Sequence, residues 1–166
     1  TSLLVPLIEE LVKPLAVWLL ARRKLSQQQG FVLGMLGGAC FGLVENINAL
    51  SMAQTGADWW STVLGRGGAG LLHVTTSGLL GWAIAAAFQH RKALPLIGAY
   101  ALAVTLHGLW NLFGITYGLD SMLLTQPWRG LAAISLPVLF LLAALHITIL
   151  GWINRRLARQ PAAALE

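Results

Sequence analysis

The stretch GFVLGMLGGACFGLVENINALSMA occupies residues 30–53 and contains a single charged residue, Glu45. A helix needs roughly 20 mostly apolar residues to cross the hydrocarbon core of a bilayer, so this run predicts a membrane-spanning helix. Gly34, Gly38 and Gly42 recur at every fourth position, which places them on one face of that helix. A glycine stripe lets a second helix approach closely. We therefore expect this helix to lie near the centre of a helical bundle.

Four further apolar runs flank this stretch, and the five predicted helices cover residues 3–21, 30–53, 67–89, 94–117 and 131–153. Charged residues make up only 10% of the 166 residues, whereas about a quarter of residues are charged in soluble domains. The sequence therefore predicts an all-α, polytopic transmembrane helix bundle with about five membrane-spanning helices. We expect residues 1–160 to form one domain, residues 161–166 to be a tail or cloning residues, and upstream residues to be missing.

Basic residues distinguish the two ends of these helices. Clusters follow the first, third and fifth predicted helices, namely Arg22, Arg23 and Lys24, then Arg91 and Lys92, then Arg155, Arg156 and Arg159. Because basic connections stay in the cytoplasm, these three ends are predicted to be cytoplasmic, and the connections with Trp59, Trp60 and Trp128 are predicted to face outward. This pattern fits a bacterial inner membrane. The formal charge of +5 lies in these short clusters, so we expect no nucleic-acid partner.

Two prolines and a layer of polar side chains interrupt the apolar runs. Pro6 and Pro14 bracket the acidic pair of the first predicted helix, and we expect them to distort it. Charged residues at the centre of a membrane helix cost roughly 2.5 to 3.5 kcal/mol each, so their presence predicts a functional site. The polar side chains inside the predicted helices are Glu9, Glu10, Lys13, Glu45, Asn46, His73, His107 and Asn111.

The helical rise places the acidic and histidine side chains of this set at a similar depth. A helix rises about 1.5 Å per residue, so counting from the cytoplasmic ends puts them about 20 to 27 Å up, in the outer half of the membrane. His146 comes out near 13 Å by the same count, and His90 lies in a cytoplasmic connection. We therefore expect these two histidines to lie outside the site.

The residue types in this layer favour metal chemistry. Two histidines, one carboxylate and a water form the open ligand set of catalytic zinc sites. We predict that Glu45, His73 and His107 bind zinc, which activates a bound water at neutral pH. Glu9 or Glu10 then serves as the general base that takes the proton of that water.

Two further side chains have predicted supporting roles. Lys13 restrains one of the two carboxylates of the acidic pair, and Asn111 donates to a developing oxyanion or fixes the His107 imidazole. Ser77 follows His73 by one turn, but no Gly-x-Ser-x-Gly elbow surrounds it, so serine catalysis is not expected.

Other interpretations of the same residues stay open. Glu9 and Lys13 are four residues apart and could form a buried ion pair with no further role. Intramembrane Glu, Lys and His residues also mark proton and ion relays, which favours a transporter or channel component as the alternative function. In a third interpretation the polar residues only join helices in a noncatalytic scaffold.

Four segments resemble the PrsW-type intramembrane proteases, which are similar to the CAAX prenyl proteases and bacteriocin-processing membrane enzymes. The segments are EELVK at 9–13, FGLVEN at 41–46, LHVTTSG at 72–78 and HGLWN at 107–111. The resemblance implies hydrolysis of peptide bonds in membrane-protein or peptide substrates at the bilayer, the best-known activity being first-site cleavage of a membrane-anchored anti-sigma factor.

Matched motif by motif, the resemblance implies roles for five residues. Glu9 and Glu10 match the acidic pair of the family, Glu45 its second-helix glutamate, and His73 and His107 its two histidines. The CAAX branch has a histidine in place of Glu45 and is viewed as using a glutamate-activated water without metal. Glu45 therefore favours a metal here, while the metal-independent mechanism stays open. The chain is short for the family, as expected of a reduced member or of one lacking an upstream helix. The resemblance does not indicate an oligomeric state.

Overall fold

The computed structural model describes residues 4–23, 25–52, 56–118 and 128–159, and no β-strand is present in these ranges. The helices are α1 (Leu4–Val12), α2 (Leu15–Leu20), α3 (Gln27–Ser51), α4 (Gly56–His90), α5 (Leu94–Gly118) and α6 (Trp128–Ala158), and a 3-10 turn at Ala21–Arg23 follows α2. Four segments are long and apolar enough to cross a membrane, namely Gln27–Ser51, Arg66–His90, Leu94–Gly118 and Trp128–Ala158. The predicted all-α membrane bundle is confirmed.

The first predicted helix is broken into α1 and α2. Pro14 lies at the break with φ −84° and ψ 27°, and its ring nitrogen has no hydrogen to donate to the helical ladder. Lys13 still donates its backbone N–H to Glu9 O at 2.9 Å. The two helices contain 9 and 6 residues, and each is shorter than the roughly 20 residues of a spanning helix. The distortion expected from the prolines is therefore present, and it places Lys13 and the acidic pair at the end of α1.

The helix that contains His73 is longer than predicted. It begins at Gly56 and not at residue 67, so Trp59 lies in its first turns and not in a connection. Its apolar, membrane-compatible part begins at Arg66. Hydropathy identifies the part of a helix that lies in lipid, and it does not detect a helix that continues beyond that part. The predicted tail, 161–166, lies outside the described residues.

Close packing of α3 on α4 forms the centre of the bundle. A Cβ added at Gly34 would lie 2.2 Å from Ser77 O, and one added at Gly38 would lie 2.1 Å from His73 O. The glycine stripe therefore brings the two backbones into direct contact, as its spacing predicts. The most buried span is nevertheless α4, with 67% of its apolar window buried against 28% for α3. The reason is that α3 has one glycine face for packing, whereas α4 also packs against α5 and α6.

Replacing Gly38 with alanine is expected to lower the free energy of unfolding by about 1 to 3 kcal/mol, because overpacking forces backbones apart. The measurement is the thermal unfolding midpoint of the purified protein in detergent. Gly151→Ala is the control, since no atom lies within 4 Å of a Cβ added there and alanine favours helix formation over glycine. Equal midpoints for the two variants would contradict the close α3–α4 contact.

Candidate active site

The acidic pair of α1 contacts the histidine of α5. Glu10 Oε1 accepts a hydrogen bond from Lys13 Nζ at 2.9 Å and lies 2.7 Å from His107 Nδ1. Glu9 Oε2 lies 3.3 Å from Lys13 Nζ and 3.6 Å from His107 Nε2. The Glu10 and Lys13 side chains are fully buried, whereas the Glu9 side chain is 19% exposed. Lys13 thus contacts both carboxylates, and His107 lies between them.

A second polar group joins α3 to α4. Glu45 Oε2 lies 2.7 Å from His73 Nε2 and accepts a hydrogen bond from Arg66 Nη2 at 2.8 Å. Arg66 Nε donates to Asn46 Oδ1 at 2.8 Å. Arg66 is not among the site residues predicted from the sequence. The available signal was its spacing, because residues seven apart, such as Arg66 and His73, share one face of a helix.

The two groups meet at the histidines. The ring centroids of His73 and His107 are 5.3 Å apart. Glu10, His73 and His107 can each place one ligand atom within 4.8 Å of the others. Among the described residues, no other set of three or more acidic, histidine or cysteine side chains comes this close together. Glu45 contacts this group through His73 alone. The sequence predicts Glu45 as the third ligand, and this assignment stays a prediction.

Several buried atoms at this junction lack hydrogen-bond partners. They are Glu9 Oε2, Glu10 Oε2 and both ring nitrogens of His73, so the short contact between His73 and Glu45 is not aligned as a hydrogen bond. Unpaired buried polar atoms cost free energy. Imidazole nitrogens and carboxylate oxygens are the donors that zinc and similar divalent metals prefer. The residues present therefore fit a metal ion.

A cavity of about 380 Å³ opens beside the histidines. Its polar lining comprises Glu9, Glu45, Thr62, Arg66, His73, His107, Asn111 and Tyr117. Glu10 is absent from that lining and contacts His107, which is part of it. A molecule in this cavity would meet Glu9, both histidines and Asn111 directly. Of the predicted site residues, only Glu10 and Lys13 are shielded from it.

The other two histidines and Ser77 lie outside the cavity. The expectation that His90 and His146 are not site residues stays a prediction. His90 contacts Gln27 Nε2 at 3.1 Å, at the far end of α4. His146 is buried in α6 with its ring edge-on to Trp110, at a centroid distance of 6.1 Å. Ser77 is buried in the α3–α4 contact. None of the three lines the cavity.

Comparison with known proteins gives one family. The family described as "PrsW family intramembrane metalloprotease" matches residues 1–149. No curated protein and no solved structure shows a significant match. The matched residues include the whole of the site, from Glu9 to Asn111.

Proposed function

The chain belongs to the PrsW family of intramembrane metalloproteases, and we propose that its buried glutamate–histidine group is the zinc centre of that peptidase. Membership makes the protein an integral membrane peptidase of the metallo type, with membrane-embedded proteins as substrates. The observation that carries the proposal is the convergence of Glu10, His73 and His107 beside a cavity that Glu9 and both histidines line. Two imidazoles and one carboxylate with an open position are the usual ligands of catalytic zinc.

Glu10 is our proposed third ligand. It is buried beside both histidines, and its Oε2 has no hydrogen-bond partner. Glu45 then has a different role, because its contact with His73 Nε2 leaves Nδ1 of the same ring available to a metal. Carboxylates that hold the second nitrogen of a metal-binding histidine fix the orientation of its ring. Glu45 remains the alternative ligand, since it faces the cavity and Glu10 does not.

Glu9 is our proposed general base. A bound zinc ion would lower the pKa of water and polarise the scissile carbonyl. Glu9 is the member of the acidic pair that lines the cavity, so its carboxylate can take a proton from water as the oxygen attacks the carbonyl carbon. The same carboxyl group then passes the proton to the leaving amine as the C–N bond breaks.

Lys13 and Asn111 are our proposed supporting residues for these steps. Lys13 contacts both Glu9 and Glu10, and its ammonium group holds the two carboxylates beside His107. Asn111 lines the cavity one helical turn after His107, and its amide is our proposed donor to the oxyanion that develops on the carbonyl oxygen. One such donor typically contributes a factor of about 10² to 10³ in kcat.

The test of this function is cleavage that depends on bound metal. The purified protein, reconstituted in liposomes, is incubated with a membrane-protein extract, and new protein termini are identified by mass spectrometry. We expect new termini with the zinc-loaded protein, their loss after chelation and their return on zinc addition. If zinc-loaded protein generates no new termini but the liposomes conduct protons, the transporter alternative holds instead.

We also propose that the ends of α2, α4 and α6 lie in the cytoplasm of a bacterial cell. Arg22 and Arg23 follow α2, Arg91 follows α4, and α6 ends with Arg155 and Arg156, which is the pattern that the positive-inside rule predicts. His107 then lies about 20 Å from the cytoplasmic end of α5. A cysteine introduced at Trp128 should react with an impermeant maleimide added outside the inner membrane. Failure of this cysteine to react would indicate the opposite orientation.

A further inference from the structure

An apolar groove adjoins the catalytic cavity. It has a volume of about 690 Å³ and lies between α4, α5 and α6. The cavity and the groove share five lining residues, namely Thr62, Trp110, Gly114, Tyr117 and Leu139. A segment in the groove is therefore next to the site in which its peptide bond would be cleaved.

Glycine residues leave one wall of this groove open. Gly114 and Gly118 are four residues apart on α5, and no atom of the described residues lies within 4 Å of a Cβ added at either position. Leu136 and Phe140 of α6 form the opposite wall, and they are 42% and 69% exposed. The lining runs from Trp110 to Gly118 on α5, which corresponds to about 12 Å, or two turns of a docked helix.

We propose that this groove seats about two turns of a transmembrane helix of the substrate, immediately beside the scissile bond. The inference rests on the proposed function, because a substrate embedded in lipid must reach the cavity from the side of the bundle. Lipid chains are as apolar as leucine, so apolar surface alone does not attract a helix in a membrane. Association there depends on close packing at small residues, and two glycines at a spacing of four provide it.

The same geometry specifies the substrate. Small residues four apart are expected on the docked face of its helix, because they let its backbone approach Gly114 and Gly118. The cleaved bond is expected just beyond the docked turns. A helical backbone satisfies its own hydrogen bonds in lipid, so the segment that enters the polar cavity must unwind while the docked turns stay helical.

Leucine substitutions can fill the groove without disturbing the fold. Gly114→Leu and Gly118→Leu place side chains into open space. Gly98→Leu is the matched control, because Gly98 lies on the same helix, is equally open and is about 24 Å from Gly114 along the axis. All three variants should keep wild-type unfolding midpoints and zinc content.

The closing experiment measures binding and cleavage separately. The probe is a fluorescent single-span peptide of leucine and alanine with one Gly-x-x-x-Gly pair, titrated in liposomes against the wild type and the three variants. We expect Gly114→Leu and Gly118→Leu to weaken binding by about tenfold or more, and Gly98→Leu to bind like the wild type. Cleavage of the same peptide is read from its fragments. A zinc-loaded protein that binds the peptide but cleaves neither the peptide nor any protein of the membrane extract would refute the proposed function and leave helix docking in the groove standing.

Three results would overturn the groove assignment. The first is equal peptide binding by all four proteins. The second is a lower unfolding midpoint in Gly114→Leu than in Gly98→Leu, which would mean that another segment of this chain occupies the groove. The third is a wild-type dimer that Gly114→Leu converts to a monomer, which would assign the groove to a second copy.

Discussion

Zinc content is expected to fall from about one ion per chain to almost none in His73→Ala, His107→Ala and Glu10→Gln. Each substitution removes one of three protein donors that lie within 4.8 Å of one another, and two remaining donors do not hold a catalytic zinc ion. The measurement is the metal content of purified, dialysed protein by mass spectrometry. His90→Ala is the control histidine variant, since His90 lies at the exposed end of α4, and it should keep its zinc.

The Glu45→Gln variant decides which carboxylate is the ligand. We expect it to retain zinc with an affinity lowered by about 10- to 100-fold, the usual effect of losing a group that orients a metal-binding histidine. The opposite result, with zinc lost in Glu45→Gln and kept in Glu10→Gln, would make Glu45 the ligand and Glu10 the residue that orients His107. An active preparation without zinc would establish the metal-independent glutamate mechanism.

Much of the fold was predictable because the bilayer imposes strong constraints on sequence. Four of the five predicted apolar helices correspond to α3, α4, α5 and α6, since a spanning helix must be long and apolar whatever it packs against. The break in the first helix was predictable from Pro14, which cannot donate to the helical ladder. The polar candidates were conspicuous for the same reason, because each is costly in lipid.

The ligand set was harder to predict because it depends on the rotation of each helix. Depth along a helix follows from a count of residues, and that count placed Glu9, Glu45, His73 and His107 together. It does not say which carboxylate faces which imidazole. Glu10 is fully buried and Glu9 is partly exposed, although they are adjacent in sequence. This difference depends on how α1 packs against α5, which the sequence does not show. Arg66 was missed because hydropathy placed it in a connection, while the helix continues through it.

The Glu9→Gln variant is expected to lose peptide cleavage by a factor of about 10² to 10⁴, with its zinc content unchanged. Glutamine has nearly the shape of glutamate, but its amide cannot take a proton from the attacking water. The measurement compares the rate of fragment formation in liposomes with the zinc content of the same preparation. Asn111→Ala provides a useful comparison, because loss of an oxyanion donor should lower kcat while Glu9 remains able to accept the proton.

The assignment of the base depends on the difference between the two cavity-facing carboxylates. Glu45 also lines the cavity, but Arg66 donates to the carboxylate oxygen that contacts His73, so that oxygen is already engaged. Glu9 Oε2 contacts Lys13 Nζ at 3.3 Å but has no aligned hydrogen-bond partner, so the Glu9 carboxylate is held less tightly than that of Glu45. If Glu9→Gln kept its activity while Glu45→Gln lost activity and retained zinc, Glu45 would be the base. The Arg66 contact would then have to open when substrate enters.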